Sequence, residues 1–243
     1  MSLFLIATSG RCATAALCHA LDRYSDHRVR HEPAPLLLEE AYLKHIGKPF
    51  RTRQFQRRLR KLANTHGGLR ALLAGHQRYG ESWRAPNLLS EVAALAPQVR
   101  VLVVIREPTD YVLSSYRKGA FRGEVSTYDK YRLLPPGSDT LPVALRIAAH
   151  WNQINDYMLD FAAVHPHAGV MKYQPMVPVL DSIADFLGVS ITDRSGALAY
   201  LETRPNASPV DLVPDGFDAK AIAEMTASTW DRVRCIADFD RPT

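Results

Sequence analysis

The sequence predicts an α/β protein with three layers, in which helices cover both faces of a central, mostly parallel sheet. Short apolar runs alternate with helical patterns along the chain, as expected of successive strand–helix–strand units. The run Val99–Ile105 is continuous and rich in β-branched residues, which is typical of a strand buried on both faces. No repeat, low-complexity tract or linker divides the chain, so we predict a single domain over residues 1–243.

The strand predictions rest on apolar or β-branched runs that are bounded by turn residues. The first run ends at Thr-Ser-Gly, and the second is followed by Pro33 and Pro35, which block strand continuation and favour a turn. The predicted strands are Leu3–Ala7, Arg28–His31, Val99–Ile105 and Gly169–Tyr173.

The helix predictions rest on apolar residues at steps of three and four and on residues that start or stop helices. Gly188 is placed to end the helix that precedes it. The segment Thr127–Asp139 is rich in polar residues, Pro and Gly, and predicts a surface loop that could serve as a substrate lid. The predicted helices are Ala13–Arg23, Asn87–Leu95, Thr109–Lys118, Leu141–Val164, Pro175–Leu187 and Asp218–Phe239.

Composition favours a water-soluble protein with an anionic ligand. Hydrophobic residues make up 47% and charged residues 23% of the chain, and the net charge is +5. No run approaches the roughly 18 apolar residues of a membrane span, and the start lacks the basic region of a signal peptide. We therefore expect a cytoplasmic protein. Its cysteines, Cys12, Cys18 and Cys235, show no metal spacing and are expected to be free thiols.

Two segments have the residues of phosphate-binding turns, Ser9–Ala15 and Arg106–Ser114. Each follows a predicted buried strand and opens a predicted helix. Helix N-termini present backbone N–H groups and a positive dipole end to anions. Because each segment also carries an arginine, the pair predicts a ligand with two separated phosphate groups.

In the first segment, Gly10 gives the backbone freedom and Arg11 supplies a rigid fork for oxyanions. The N–H groups of Ala13, Thr14 and Ala15 fall in the first helical turn, and the Thr14 hydroxyl can donate to a phosphate oxygen. The Gly-x-x-x-x-Gly-Lys-Ser/Thr sequence of the P-loop kinases is absent. Taken alone, the segment is equally compatible with an ordinary strand-to-helix turn that carries a surface arginine.

The second segment has the pattern Arg-x-Pro-x-Asp-x-x-x-Ser at Arg106, Pro108, Asp110 and Ser114. This pattern resembles the 3′-phosphate-binding motif of sulfotransferases that use PAPS, 3′-phosphoadenosine 5′-phosphosulfate. Later segments are similar to family sequences in the same order. These are Gly80–Pro86, Val170–Val177 and Phe186–Val189. The resemblance implies the P-loop-like sulfotransferase fold, PAPS as co-substrate and PAP as product.

The first segment then looks like the family's 5′-phosphosulfate loop. Arg11 stands at its basic position, Cys12 at its serine, Ala13 at its glycine and Thr14 at its threonine. If the glycine position requires a left-handed backbone, alanine is strained there, so we expect a slightly different turn. The resemblance implies that Gly10 and the residues from Arg11 to Ala15 hold the phosphosulfate.

The resemblance assigns the 3′-phosphate to Arg106 and Ser114, with Asp110 capping the helix or orienting Arg106. The C-terminal Arg-Lys-Gly-x-x-Gly motif of the classical cytosolic branch is absent, so the chain looks more like the bacterial and carbohydrate-type branches. Arg204–Ser208 is a candidate to close over the nucleotide. No metal is required, since arginines and helix N-termini supply positive charge.

The reaction also needs a base that takes the proton of the acceptor. Glu32 and His31 compete for this role at the end of the second predicted strand, and the family's carbohydrate and tyrosine branches place a catalytic glutamate near this position. We favour Glu32, with Arg11 stabilising charge on the leaving group. Glu81 contacts the acceptor, organises the site or is a surface carboxylate, and these alternatives stay open. His150 is interpreted as an ordinary packing or surface histidine.

The acceptor stays open between small molecules, carbohydrates and natural products with a hydroxyl or amine. The basic stretch Arg51–Lys61 favours either an acidic acceptor or a solvated helix face, and we predict no nucleic-acid partner. The sequence does not decide the oligomeric state. Two other functions remain: another P-loop-like nucleotide-dependent transferase or kinase, and a non-catalytic module that binds nucleotides or nucleic acid.

Overall fold

The computed structural model describes residues 3–32, 36–48, 57, 78–121, 132–203 and 212–236. Several predictions fall outside these residues. They concern the prolines that follow the second strand, the basic stretch Arg51–Lys61 apart from Arg57, the first part of the loop Thr127–Asp139, and the closing segment Arg204–Ser208.

Every strand pair in the described sheet is parallel, in the order β2-β3-β1-β4-β5. The strands are β1 (Leu3–Thr8), β2 (Arg28–His31), β3 (Tyr79–Trp83), β4 (Arg100–Ile105) and β5 (Ala168–Lys172). The chain moves from β1 to one side of the sheet and later crosses to the other side through β4. Such a reversal leaves a crevice at the carboxyl ends of the strands, where α/β proteins bind their ligands.

Helices lie on both faces of this sheet. They are α1 (Thr14–Tyr24), α2 (Leu36–His45), α3 (Leu89–Leu95), α4 (Pro108–Arg117), α5 (Val143–Val164), α6 (Leu180–Leu187), α7 (Arg194–Glu202) and α8 (Ala219–Arg234). Short 3₁₀ turns at Pro86–Leu88 and Ser138–Thr140 precede α3 and α5. The three-layer α/β prediction is confirmed, with boundaries that mostly differ from the predicted ones by a few residues.

The alternation of side chains along each strand builds two apolar cores. Leu5 of β1 and Val103 of β4 face the core under α2 to α5 and α8, while Phe4 and Leu102 face the core under α1, α6 and α7. The first core also contains Trp151 of α5, which is fully buried, as the helical pattern predicts. Gly188 ends α6 in a left-handed conformation, also as predicted.

Strand β3 is absent from the predictions because its sequence, Tyr-Gly-Glu-Ser-Trp, lacks an apolar run. Gly80 is needed there because a Cβ atom at this position would stand 2.0 Å from the Phe4 ring. Glu81 is fully buried, and its carboxylate accepts hydrogen bonds from the Tyr79 hydroxyl and the Trp83 indole. The interpretation of Glu81 as a surface carboxylate is therefore wrong. Helices α2 and α7 were not predicted either.

All three cysteines are free, as expected. Burial raises the pKa of Cys12 to about 11 and that of Cys18 to about 12. Over the residues that the structure describes, no helix is both long and apolar enough to cross a membrane.

Candidate functional site

The two segments that are predicted to bind phosphate, Ser9–Ala15 and Arg106–Ser114, meet at the carboxyl edge of the sheet. Strands β1 and β4 are parallel neighbours, with Thr8 opposite Val104, so the chain leaves both strands at the same edge. The Arg11 Nε–H donates to the Ser114 hydroxyl at 3.1 Å, and an Arg106 guanidinium N–H donates to the Arg11 carbonyl at 2.8 Å. Residues from both predicted motifs therefore contact each other across the crevice.

The loop after β1 has an unusual backbone. Gly10, Arg11 and Ala13 have φ angles of 95°, 60° and 53°, all in the left-handed region. This conformation costs roughly 1–2 kcal/mol at each non-glycine residue. The expectation that the turn would avoid it at Ala13 is therefore wrong. Cys12, between Arg11 and Ala13, is not left-handed, and such an alternation of left-handed and right-handed residues turns successive backbone N–H groups toward one side, as in anion-binding nests.

The N-terminus of α1 has no side-chain cap, because Ala13 stands at the N-cap position. The first N–H groups of a helix have no partner within the helix, so those of Thr14 and Ala15 are placed to bind an anion. Thr14 is buried and Ala15 half-buried. The Cys12 side chain points into the protein, where its thiol is within hydrogen-bonding distance of the Gly10 and Val104 carbonyls, at 3.2 and 3.6 Å. Only the backbone of Cys12 can serve a ligand.

The guanidinium groups concentrate positive charge in this crevice. Burial and the neighbouring Arg106 lower the pKa of Arg11. Among the described residues, none hydrogen-bonds the buried Nε of Arg106. A buried charged donor without a partner is unfavourable, and an anion placed between the two arginines would satisfy it. The residues present therefore fit the phosphate groups of a nucleotide.

Other residues fix the position of Arg106. The Trp151 indole N–H donates to its carbonyl at 2.9 Å, and its guanidinium carbon lies 5.0 Å from the centroid of the Tyr173 ring. Asp110 lies 3.9 Å from the guanidinium of Arg106 and can orient it. It does not cap the helix, because Glu107 is the N-cap residue.

The N-terminus of α4 differs from that of α1. Glu107 is the N-cap residue, and its carboxylate accepts the Asp110 N–H at 2.7 Å. Pro108 occupies the first turn and has no N–H to offer. The prediction of an open anion site at this helix end is therefore wrong, and the second segment contributes its side chains, Arg106 and Ser114.

The candidate bases stand at the end of β2. Glu32 has a φ angle of 46°, and its N–H donates to the Ser82 carbonyl at 3.1 Å. Its carboxylate forms a two-pronged ion pair with the Arg84 guanidinium. His31 lies 3.9 Å from this carboxylate, and its Nδ1 is 2.7 Å from the Ser82 hydroxyl. Burial lowers the pKa of His31.

Arg84 is a site residue that no predicted role covered. It follows β3, and its stem lies against the phosphate loop, since a Cβ atom at Gly10 would stand 3.2 Å from the Arg84 Cδ. It therefore connects Glu32 to the loop that carries Arg11. The sequence signal for such a residue is a basic side chain directly after a strand. It was not recognised at Arg84 because β3 was not predicted.

A search of solved structures gives two similar folds. A crystal structure of a sulfotransferase from Alicyclobacillus acidocaldarius superposes with a TM-score of 0.50 at 17% identity, over 93% of this chain and 95% of that one. The protein has a sulfotransferase fold. A sulfotransferase domain from the curacin biosynthetic pathway aligns with a TM-score of 0.44 at 12% identity, over 93% of this chain and 98% of that domain. No protein-family model and no curated protein matches the sequence.

Proposed function

We propose that the protein is a PAPS-dependent sulfotransferase, which moves a sulfonate group from PAPS to an acceptor hydroxyl or amine and releases PAP. The observation that carries the proposal is the meeting of Arg11, Arg106 and Ser114 at one edge of the sheet, with a buried guanidinium N–H of Arg106 left unsatisfied. The sulfotransferase fold supports it.

The phosphosulfate end would lie in the loop after β1. Backbone N–H groups between Cys12 and Ala15, the Thr14 hydroxyl and Arg11 are the groups that would hold it. The 3′-phosphate would take the free Nε–H of Arg106 and the hydroxyl of Ser114. Ser114 already accepts a bond from Arg11, which leaves its own O–H to donate.

The transfer needs one proton acceptor and one stabiliser of the leaving group. We assign the first role to Glu32: its carboxylate takes the acceptor proton while the acceptor oxygen bonds to sulfur. The bond from sulfur to the 5′-phosphate breaks, and its electron pair stays on the phosphate, which Arg11 stabilises. Arg84 pairs with Glu32 and would orient it, and the carboxylate oxygens keep lone pairs with which to accept the proton.

The experiment compares thermal shifts with PAP and with ATP, each with and without Mg²⁺, and then tests transfer of labelled sulfate from PAPS to a panel of acceptors. We expect a larger shift with PAP than with ATP, independent of Mg²⁺, and transfer to at least one acceptor class. A larger, Mg²⁺-dependent shift with ATP would favour a P-loop-like kinase or transferase. Salt-sensitive nucleic-acid binding without any sulfate transfer would favour a non-catalytic module.

A further inference from the structure

Arg84 lies between the assigned base and the loop after β1. Two groups of its guanidinium, Nε and Nη2, face the carboxylate oxygens of Glu32. Its stem lies against the loop, because a Cβ atom at Gly10 would stand 3.2 Å from the Arg84 Cδ. The pKa of Arg11 supports this placement: burial lowers it most, and Arg106 and Arg84 lower it further. The side chain of Arg84 therefore spans the distance from Glu32 to the loop.

The ion pair with Glu32 uses one edge of the Arg84 guanidinium. Nε and one N–H of Nη2 form that edge, whereas Nη1 and the second N–H of Nη2 lie outside the pair. Nη1 is cis to Cδ, the atom that lies against Gly10. Arg84 also has interactions besides this ion pair, so a further ligand would join an arginine that is already held. A guanidinium has five N–H donors and can bind a carboxylate on one edge and a second anion on another.

The geometry of sulfonate transfer places an anion beside this second edge. As in phosphoryl transfer, the acceptor oxygen, the sulfur and the leaving oxygen lie on one line, and the other three sulfonate oxygens stand around that line. Glu32 must reach the acceptor oxygen at one end, while the loop after β1 holds the leaving phosphate at the other. The sulfonate then lies between Glu32 and the loop, which is the interval that Arg84 spans.

We propose that Arg84 is a further catalytic residue, which donates a hydrogen bond to a sulfonate oxygen of PAPS while it stays paired with Glu32. This role rests on the proposed function, since it needs PAPS as the donor. The acceptor oxygen bonds to sulfur, its proton passes to Glu32, and the electron pair of the broken sulfur–oxygen bond stays on the 5′-phosphate. Arg84 keeps its protons throughout and stabilises the negative charge of the sulfonate oxygens. Because base and sulfonate bind one rigid planar group, Arg84 also fixes the distance between them.

A double-mutant comparison separates a direct contact from an effect of Arg84 through Glu32 alone. The background is Glu32→Gln, in which Arg84 has no carboxylate base to orient. Calorimetry in the absence of acceptor measures the affinities for PAPS and for PAP, which lacks the sulfonate. In this background we expect Arg84→Gln to lower the affinity for PAPS on the order of tenfold and that for PAP by less than about threefold. Arg78→Gln is the control, since Arg78 precedes β3, is exposed and pairs with Asp26.

The outcomes distinguish the role of Arg84 from the proposed function. Equal losses of affinity for PAPS and PAP, or no loss for either, would overturn the role of Arg84 and leave the proposed function in place. Absence of PAPS binding to wild type would contradict both. The unfolding midpoint shows whether each variant is folded. If Arg84→Gln does not fold, Arg84→Lys replaces it: lysine keeps the charge but lacks the fork, so the affinity for PAPS should fall by a smaller factor and that for PAP should not change.

Discussion

The two strand-to-helix junctions of the site differ in backbone conformation and in helix capping. The β1–α1 junction has left-handed Gly10, Arg11 and Ala13 and an uncapped helix N-terminus. The β4–α4 junction has a proline in its first turn and a carboxylate cap from Glu107. One junction leaves its backbone donors available at the cost of strain, whereas the other satisfies its backbone and uses side chains.

This difference indicates that a ligand can use the backbone N–H groups of the first junction and the side chains of the second. Strained backbone persists only where the surroundings enforce it, and such sites commonly bind ligands. The first junction is suited to an anion whose charge changes during a reaction, because N–H groups and Arg11 surround it. The second offers Arg106 and Ser114, which suit a phosphate that is held but not changed. The following variants test this division.

The largest effect is expected for Glu32→Gln, which removes the assigned base and leaves both junctions intact. Transfer should fall by about 10²–10⁴-fold because general base catalysis contributes this much. PAP affinity, measured by calorimetry, should stay within about threefold of wild type, since an amide is nearly the same size as a carboxylate. Near-normal turnover of Glu32→Gln would remove Glu32 from the mechanism and favour His31.

Arg11→Ala should produce the next largest effect, because it removes charge from the first junction. We expect turnover at saturating PAPS to fall by about 10²–10³-fold, as for loss of one group that stabilises developing charge. Arg194→Ala is the matched control: that arginine is exposed and pairs with Asp181. Equal activities of the two variants would show that Arg11 plays no part in the transfer.

Glu107→Ala should lower the free energy of unfolding by about 1 kcal/mol, because it removes the N-cap of α4. Chemical denaturation measures this change. PAP affinity should be nearly unchanged, since the capped helix end is not assigned to the ligand. A large rise in PAP affinity would mean that Glu107 competes with an anion at this N-terminus, and the contrast between the junctions would fail.

The smallest effect compares Ala13→Gly with Ala15→Gly. Glycine at residue 13 relieves the left-handed strain, so the free energy of unfolding should rise by about 0.5 kcal/mol despite the added chain entropy. Glycine at residue 15 lies inside α1 and should lower it by about 0.5–1 kcal/mol. Changes of the same sign in both variants would contradict the strain at Ala13.

The sequence predicts those parts of the fold that have a strong apolar pattern. Strands β1 and β4 and helix α5 were found because runs and periodicity mark burial directly. Strand β3 was missed because Gly80 is there for the Phe4 ring, and Glu81 is satisfied by its own strand neighbours. These contacts of Gly80 and Glu81 cannot be inferred from the sequence until the pairing of β1 with β3 is known.

The candidate site divides in the same way. The motifs identify Arg11, Arg106 and Ser114 as site residues, and in the structure they contact each other. Arg84 carries no motif and follows a strand that only tertiary packing brings to the phosphate loop. The Glu107 cap was missed as well, since a carboxylate three residues before Asp110 can point either to solvent or to the helix end.

The central claim is that the two junctions hold two different phosphate groups of one nucleotide. Calorimetric titration of wild type and Arg106→Ala with PAP and with 5′-AMP, which lacks the 3′-phosphate, tests it most directly. We predict that wild type binds PAP about 10–100-fold more tightly than 5′-AMP, and that Arg106→Ala loses this preference. Its affinity for 5′-AMP should fall much less, through loss of the hydrogen bond from Arg106 to the Arg11 carbonyl alone. Equal affinities of wild type for the two nucleotides, or a preference that survives in Arg106→Ala, would contradict the account.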